Sequence, residues 1–431
     1  MSESLKRAGL NFSKLLSGKA VGAVLSVVYL AIAARELGPA GFGVLALMHG
    51  VIQFLGGTVA FSGWQTLVRY GQRPLREGDM AGLRSVFRFT ASIEAVLALV
   101  AILIAFFFLP YAARAGGWGA EAEAWAPFYA FTILMAARQT PFGLLQLYRK
   151  FTWLGIHAAV MPVTRLIGTL VVVWLGLGLP GFLIAWMAAA VFEGVSLWAL
   201  ALWLLHREGA GWPGLGRFRE TLQRFPGIGR YAFVSNADYT LVNVTPLAIP
   251  LLVGAVLGPA AAGLFTLAAR ATNALLQPAI LIGQSGFEVI SDLASRKRWA
   301  ELKVMLAKGT AYAIGFGLLI AAIFLVSGDT VMAIFGGPEF AAAGGILALV
   351  AIARALAMAQ PGLAAALAAL SHPGTSLAIS AGTGLLAIPA MVWAMRTYDL
   401  DGAGYVMIGQ AVAATALAAL ATSLILRSKS A

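Results

Sequence analysis

Along the chain, apolar stretches alternate with short segments rich in Arg, Lys, Gly and Pro. Each stretch holds about 20 residues, enough to cross a hydrocarbon core about 30 Å thick as a helix. Twelve are predicted. The first six run Leu15–Ala34, Phe42–Val68, Ser85–Leu109, Trp125–Tyr148, Thr152–Gly176 and Gly181–Leu205. The second six run Tyr231–Leu257, Ala262–Ile290, Met305–Val326, Ala341–Leu370, Ser376–Met395 and Gly402–Leu426. No segment between them suggests a soluble domain, so the pattern predicts an all-α membrane protein.

Composition agrees: 60% of residues are hydrophobic, 11% are charged and the mean hydropathy is +0.85. Lys6, Arg7, Lys14 and Lys19 precede the first stretch as in a signal peptide. Its apolar run is long and lacks a small-x-small cleavage site, so it is expected to stay as an anchor. With no cysteine, disulfides, thiolate metal sites and cysteine nucleophiles are excluded.

The net charge of +12 invites a nucleic-acid reading, but the placement of the charges favours membrane orientation. Counting from a cytoplasmic N-terminus, segments on that side hold 23 basic residues and the opposite loops hold three, Arg35, Arg114 and Arg396. Both termini are therefore expected in the cytoplasm and no nucleic-acid partner is expected. Anionic membrane lipids are a natural partner for the basic face.

The long connection between the sixth and seventh stretches carries Arg207, Arg217, Arg219, Arg224 and Arg230. It divides the chain into an N-terminal lobe (1–205), a basic cytoplasmic linker (206–230) and a C-terminal lobe (231–431). A repeat supports two halves: LGPAGFGVLAL at 37–47 and LGPAAAGLFTL at 257–267 share six of eleven positions at an offset of 220. The same offset pairs Pro141 with Pro361. Gly and Pro there predict tight turns between successive helices. Six helices per half leave both halves in one orientation, so a pseudo-twofold axis along the membrane normal is expected. Independent Gly-Pro turns are the alternative origin of the match.

These residues carry a resemblance. AARELGPAGFGVLAL (33–47), LGPAAAGLFTLAAR (257–270) and IFGGPEFAAA (334–343) resemble the polysaccharide and O-antigen flippases. That branch belongs to the exporter superfamily that also contains multidrug and toxin extrusion proteins and the lipid II flippase. The resemblance implies two six-helix lobes facing a central cavity and alternating access in the bacterial inner membrane. It also implies translocation of an undecaprenyl-pyrophosphate-linked oligosaccharide, as in lipopolysaccharide O-antigen synthesis, alongside other polysaccharide-assembly membrane proteins.

An ionisable residue at mid-bilayer costs about 2.5 to 3.5 kcal/mol on insertion scales, so each one marks a partner or polar surroundings. By helix rise, Arg138, Arg165, Arg270 and Arg354 all fall near the middle of the core. Candidate acids are Glu94, Glu193 and Asp238, with Glu288 and Asp292 nearer the cytoplasmic end. Depth matching pairs Glu94 with Arg138 and Glu193 with Arg165. It gives Asp238 the level of Arg354 rather than that of Arg270.

Arg270 also shares a helix face with Thr266, Asn273 and Gln277, ending at Pro278. Such a face reads as a cavity lining, with polar packing between helices as the alternative. The seventh stretch adds Asn236, Tyr239 and Asn243 on one face, with Asp238 and Thr245 adjacent. The candidate substrate-binding set is therefore Arg270, Arg354, Arg138, Arg165, Asn273, Gln277, Asp238 and Asn243. For the pyrophosphate that the resemblance implies, arginine's planar fork of donors is apt.

His49 and His157 could serve as proton sites or as packed residues. The four histidines form no local metal motif and no P-loop is present, so no cofactor, metal or catalytic residue is expected. Two other functions compete. A cation-coupled multidrug exporter of the same fold would favour carboxylates over arginines in its cavity. A membrane-embedded glycan polymerase or ligase would present a large external loop, whereas the longest here is about 110–124.

Overall fold

The structure, a computed structural model, describes residues 3–59, 61, 63–214, 218–273, 290, 293 and 296–430. Within these, only the backbone is described for 3–21, 59, 135–136, 234, 237–246, 373 and 429–430. No strand occurs among the described residues.

The helices are α1 (Glu3–Val59), α2 (Gly63–Glu77), α3 (Met80–Ala115), α4 (Ala120–Tyr129), α5 (Gln139–Leu147), α6 (Phe151–His157), α7 (Val160–Leu175) and α8 (Gly178–Arg207). They continue as α9 (Phe218–Arg224), α10 (Ile228–Leu257), α11 (259–273), α12 (Trp299–Gly336), α13 (Gly344–Ala357), α14 (Gln360–Ala369) and α15 (Pro373–Ser430). Short 3₁₀ segments occupy Ala130–Ala136 and Pro338–Ala343.

As far as they are described, the predicted apolar stretches fall mainly on helix, with breaks such as those at 137–138, 158–159 and 358–359. Among the described residues, seven helical runs are long and apolar enough to cross a membrane, and two of them, Gly22–Glu77 and Gly374–Ser428, each hold two predicted stretches. A straight helix as long as α1 would reach about 85 Å, far more than a bilayer core accepts. Gly38 (φ 64°, ψ 177°) resolves this by breaking the helix, and Pro39 opens the next one. Pro suits a first helical turn because its missing N–H has no partner there. The same device recurs at Gly258–Pro259 and Gly337–Pro338, with φ of 88° and 93° at the glycines. In α15 the break between the last two stretches lies at Tyr398 and Asp399.

The chain forms two compact units, one of Met1–Leu37 with Val44–Leu251, the other of Gly38–Gly43 with Leu252–Ala431. In the first, Phe87, Leu144, Leu145, Leu204 and Leu205 are buried together. Trp198 Nε1–H donates to the Ala137 carbonyl (2.7 Å), satisfying an acceptor that the break before α5 exposes. Part of segment 206–230 packs on α3: Phe218 stacks on Phe89 at 4.5 Å, and the Thr221 and Ser85 hydroxyls bond at 2.6 Å. Arg224 pairs with Asp79 (2.6 Å), and Arg88 donates to the Pro213 carbonyl (3.3 Å).

In the second unit, Phe42 from the Gly38–Gly43 segment meets Phe340 edge-on at 6.0 Å, and both rings are buried. The outer surface is apolar: Val326 is 92% exposed, Trp174 82% and Phe107 73%. An exterior that presents such side chains in number is one that faces lipid.

Candidate functional site

In the first unit, Arg138 stands just before α5, with a backbone (φ −131°, ψ 3°) outside the helical region. Its guanidinium forms an ion pair with the buried Glu193 of α8. Glu94, buried on α3, accepts the backbone N–H groups of Gln139 (2.5 Å) and Thr140 (2.9 Å). It therefore caps α5, as a carboxylate at a helix N-terminus does.

This corrects the pairing expected from depth, which joined Glu94 to Arg138 and Glu193 to Arg165. The physical reason is the irregular stretch between α4 and α5. Its 3₁₀ turn and the break at Ala137 leave first-turn N–H groups of α5 in need of an acceptor, and rise along an unbroken helix cannot anticipate that demand. His157, at the end of α6, places Nε2 3.0 Å from the Glu193 backbone oxygen and 3.1 Å from Ser196 Oγ.

Arg165 of α7 is buried in an aromatic box. Its guanidinium carbon lies 4.6 Å from the Trp186 ring centre and 5.9 Å from that of Tyr29. Nη1 donates to the Tyr29 hydroxyl (3.3 Å), and Nη2 meets His49 Nε2 (3.1 Å). Trp186 also meets His49 edge-on at 5.0 Å. Aromatic faces hold a cation by their quadrupole, which replaces the expected carboxylate. His49 thus belongs to a polar network rather than to plain packing. The sequence signal for this box was thin: His49 and Gln53 are one helical turn apart, while Tyr29, Tyr129 and Trp186 come from distant stretches.

In the second unit, Arg270 on α11 is exposed and Arg354 on α13 is half-buried. Arg354 Nη2 donates to the carbonyl of Ala269 (3.4 Å), the residue before Arg270, and the two cationic groups act on each other electrostatically. The two arginines therefore share a level, where helix rise had separated them. The 3₁₀ segment Pro338–Ala343 explains the shift, because α13 starts only at Gly344 and Arg354 is nearer its beginning than the sequence boundary implied.

Arg354 Nε and Thr266 Oγ1 are buried and have no hydrogen-bond partner among the described residues. Asn273 is half-buried at the end of the described part of α11. Gln277 lies outside the described residues, as do the side chains of Asp238 and Asn243. The candidate set thus separates into a carboxylate-bound Arg138, a boxed Arg165 and a juxtaposed pair, Arg270 and Arg354.

Comparison with known proteins gives this arrangement a family. Residues 9–294 match the model of the family described as "Polysaccharide biosynthesis protein". The inner membrane protein YghQ of Escherichia coli K12 is 28% identical over 332 residues, covering 77% of this chain and 92% of that protein. Among solved structures, an inward-facing multidrug resistance MATE family transporter of the MOP superfamily superposes with a TM-score of 0.74 at 14% identity, over 96% of this chain and 99% of that one. A MOP superfamily transporter from Pyrococcus furiosus, described as having a binding pocket of reversed polarity, superposes with a TM-score of 0.56 at 15% identity, over 98% and 96%. The fold is that of MOP-superfamily transporters, and with two thirds of its length inside the family model the chain belongs to the polysaccharide biosynthesis protein family.

Proposed function

We propose that the protein is a flippase that moves a lipid-pyrophosphate-linked oligosaccharide between the leaflets of a bacterial inner membrane by alternating access. One observation carries the reading: the half-buried Arg354 donates to the Ala269 carbonyl, which sets its guanidinium beside the backbone that carries the exposed Arg270. A half-buried guanidinium near a second cation is costly, and a multiply charged anion offsets that cost. Pyrophosphate matches the paired forks of donors, and arginine keeps its charge at any accessible pH. Asn273 supplies a neutral hydrogen-bonding group nearby on α11 for sugar hydroxyls.

Membership of a polysaccharide biosynthesis family supports this reading, as does likeness to an inner membrane protein. The wider fold also serves multidrug transporters, so a cationic drug is the competing cargo. A pair of adjacent arginines repels such a cargo.

The test replaces each arginine in a strain whose surface glycan depends on this protein, with glycan normalised to the amount of protein in the membrane. Arg270→Ala and Arg354→Ala are expected to abolish export. Lysine is expected to restore part of it, since it keeps the charge but loses the bidentate fork. Arg270→Glu should be worse than alanine because it repels the anion. Normal export by the alanine and glutamate variants would overturn the proposal, and altered drug susceptibility in its place would favour the competing cargo.

A further inference from the structure

We infer that His49 is a proton-binding site whose occupancy is incompatible with the present position of Arg165, so that a proton reorganises the interior of the first unit. The inference stands on the hydrogen-bond chemistry of the box and is independent of the cargo.

The argument starts from donors and acceptors. Arginine has only donors, so the 3.1 Å contact between Arg165 Nη2 and His49 Nε2 requires a lone pair on Nε2. The imidazole proton therefore sits on Nδ1, 3.0 Å from the Tyr129 hydroxyl, which accepts it. The Gln53 amide lies 2.9 Å from the same Nε2, and its two ends can exchange by rotation. His49 is thus held in one neutral tautomer by partners on three helices, Gln53 of α1, Tyr129 of α4 and Arg165 of α7.

A second proton can enter only at Nε2, which is the atom Arg165 uses. Its arrival removes the acceptor and sets a positive imidazolium against a positive guanidinium, a repulsion that a buried setting screens poorly. Gln53 can turn its oxygen toward the new N–H, so the protonated ring keeps a partner while Arg165 loses one. Trp186 and Tyr29 hold Arg165 only by their faces and one 3.3 Å hydrogen bond. The guanidinium is therefore the group that moves.

Among the described residues, the groups that meet His49 include Gln53 of its own helix, Tyr129 of α4, Arg165 of α7 and Trp186 of α8. The nearest carboxylate along α8, Glu193, is about two helical turns from Trp186 and is engaged by Arg138. Glu94 is engaged by the first turn of α5. Among the described residues, Arg165 is the cation in hydrogen-bond contact with His49.

The chain has four histidines, which makes direct observation practical. The full-length protein, labelled with ¹⁵N-histidine and ¹⁵N-tryptophan in lipid nanodiscs, is titrated by NMR, with His49→Gln and Trp186→Phe assigning the two resonances. In mildly alkaline buffer His49 is expected as the neutral Nδ1–H tautomer. On acidification its imidazolium should appear together with a shift of the Trp186 indole signal, as the guanidinium leaves that ring. In Arg165→Gln the imidazolium should appear at a pH higher by about one unit or more, with no coupled Trp186 shift. An Nε2–H tautomer in the wild type, or a Trp186 signal that stays fixed while His49 titrates, would overturn the inference. Both of these readouts need no Arg165 variant, so they decide the matter even if that variant does not fold.

Discussion

Gly43 and Gly263 cross backbone to backbone: a β-carbon on Gly43 would stand 3.1 Å from the Gly263 nitrogen, and one on Gly263 would stand 3.0 Å from the Gly43 nitrogen. The first would also overlap the Pro259 carbonyl and the second the Pro39 carbonyl. These four residues are the third and seventh positions of the two LGPAxxG segments, so the contact is reciprocal, as a local twofold makes it. All four belong to the second unit. Gly43→Ala and Gly263→Ala are each expected to cost about 1 to 3 kcal/mol through overpacking against backbone that cannot rotate away. Gly309→Ala and Gly362→Ala, at helical positions with open space around them, should be neutral or stabilising. Thermal unfolding of the four variants in one detergent gives the comparison; equal melting temperatures would show that the crossing tolerates a side chain.

Those glycines also mark what the sequence revealed and what it withheld. The helical stretches, as far as they are described, were legible because an apolar run of span length has few other fates. The Gly-Pro junctions were legible because positive φ followed by a fixed φ leaves few conformations, and Gly38–Pro39 and Gly258–Pro259 adopt them. The partners of the buried charges were not. Rise along a helix gives depth but neither azimuth nor the location of a break. The irregular segments at Ala130–Ala136 and Pro338–Ala343 therefore redirected Glu94 to α5 and raised Arg354 to the level of Arg270. The aromatic box around Arg165 joins residues from four helices, and no local pattern announces such a meeting.

Segment 206–230 reads in sequence as a tether, yet its contacts with α3 give it a folded, docked part. Asp79 carries two of the functions involved: it caps α3 through the Gly82 N–H (2.9 Å) and pairs with Arg224 (2.6 Å). Asp79→Ala should cost about 1 to 2 kcal/mol from the cap and loosen α9 in addition. Trypsin is then expected to cut after Arg219 or Arg224 several-fold faster than in the wild type. A cleavage rate unchanged by the substitution would mean that the segment is held by Phe89, Phe218 and Thr221 alone.

We propose the orientation of the chain from its charges. With 23 basic residues on one side and three on the other, both termini are expected in the cytoplasm. Reporter fusions at Arg114 and Arg217 should report opposite compartments, with Arg217 inside. A shared compartment for the two would break the alternation on which the twelve-span topology rests.

The pairing of Arg138 admits the sharpest energetic test, because sequence depth and structure choose different acids. Glu193 is buried and Arg138 is only partly so, with side-chain exposures of 9% and 38%. Removing Glu193 leaves the arginine without the partner that offsets its desolvation, and removing Arg138 leaves a buried carboxylate unopposed. Double-mutant cycles isolate the shared term: Arg138→Gln with Glu193→Gln should show a coupling of about 1 to 3 kcal/mol, the range for groups in direct contact. Glu94 acts on backbone N–H groups that no substitution at Arg138 removes. Arg138→Gln with Glu94→Gln should therefore show a smaller coupling, since Arg138 acts on Glu94 only through its charge. Glu94→Gln retains an oxygen acceptor for the cap, whereas Glu94→Ala loses it and should cost about 1 kcal/mol more. Unfolding of the singles and doubles in one lipid-detergent mixture supplies all the terms. A larger coupling for Arg138 with Glu94 than with Glu193 would return the pairing to the one that depth alone predicts.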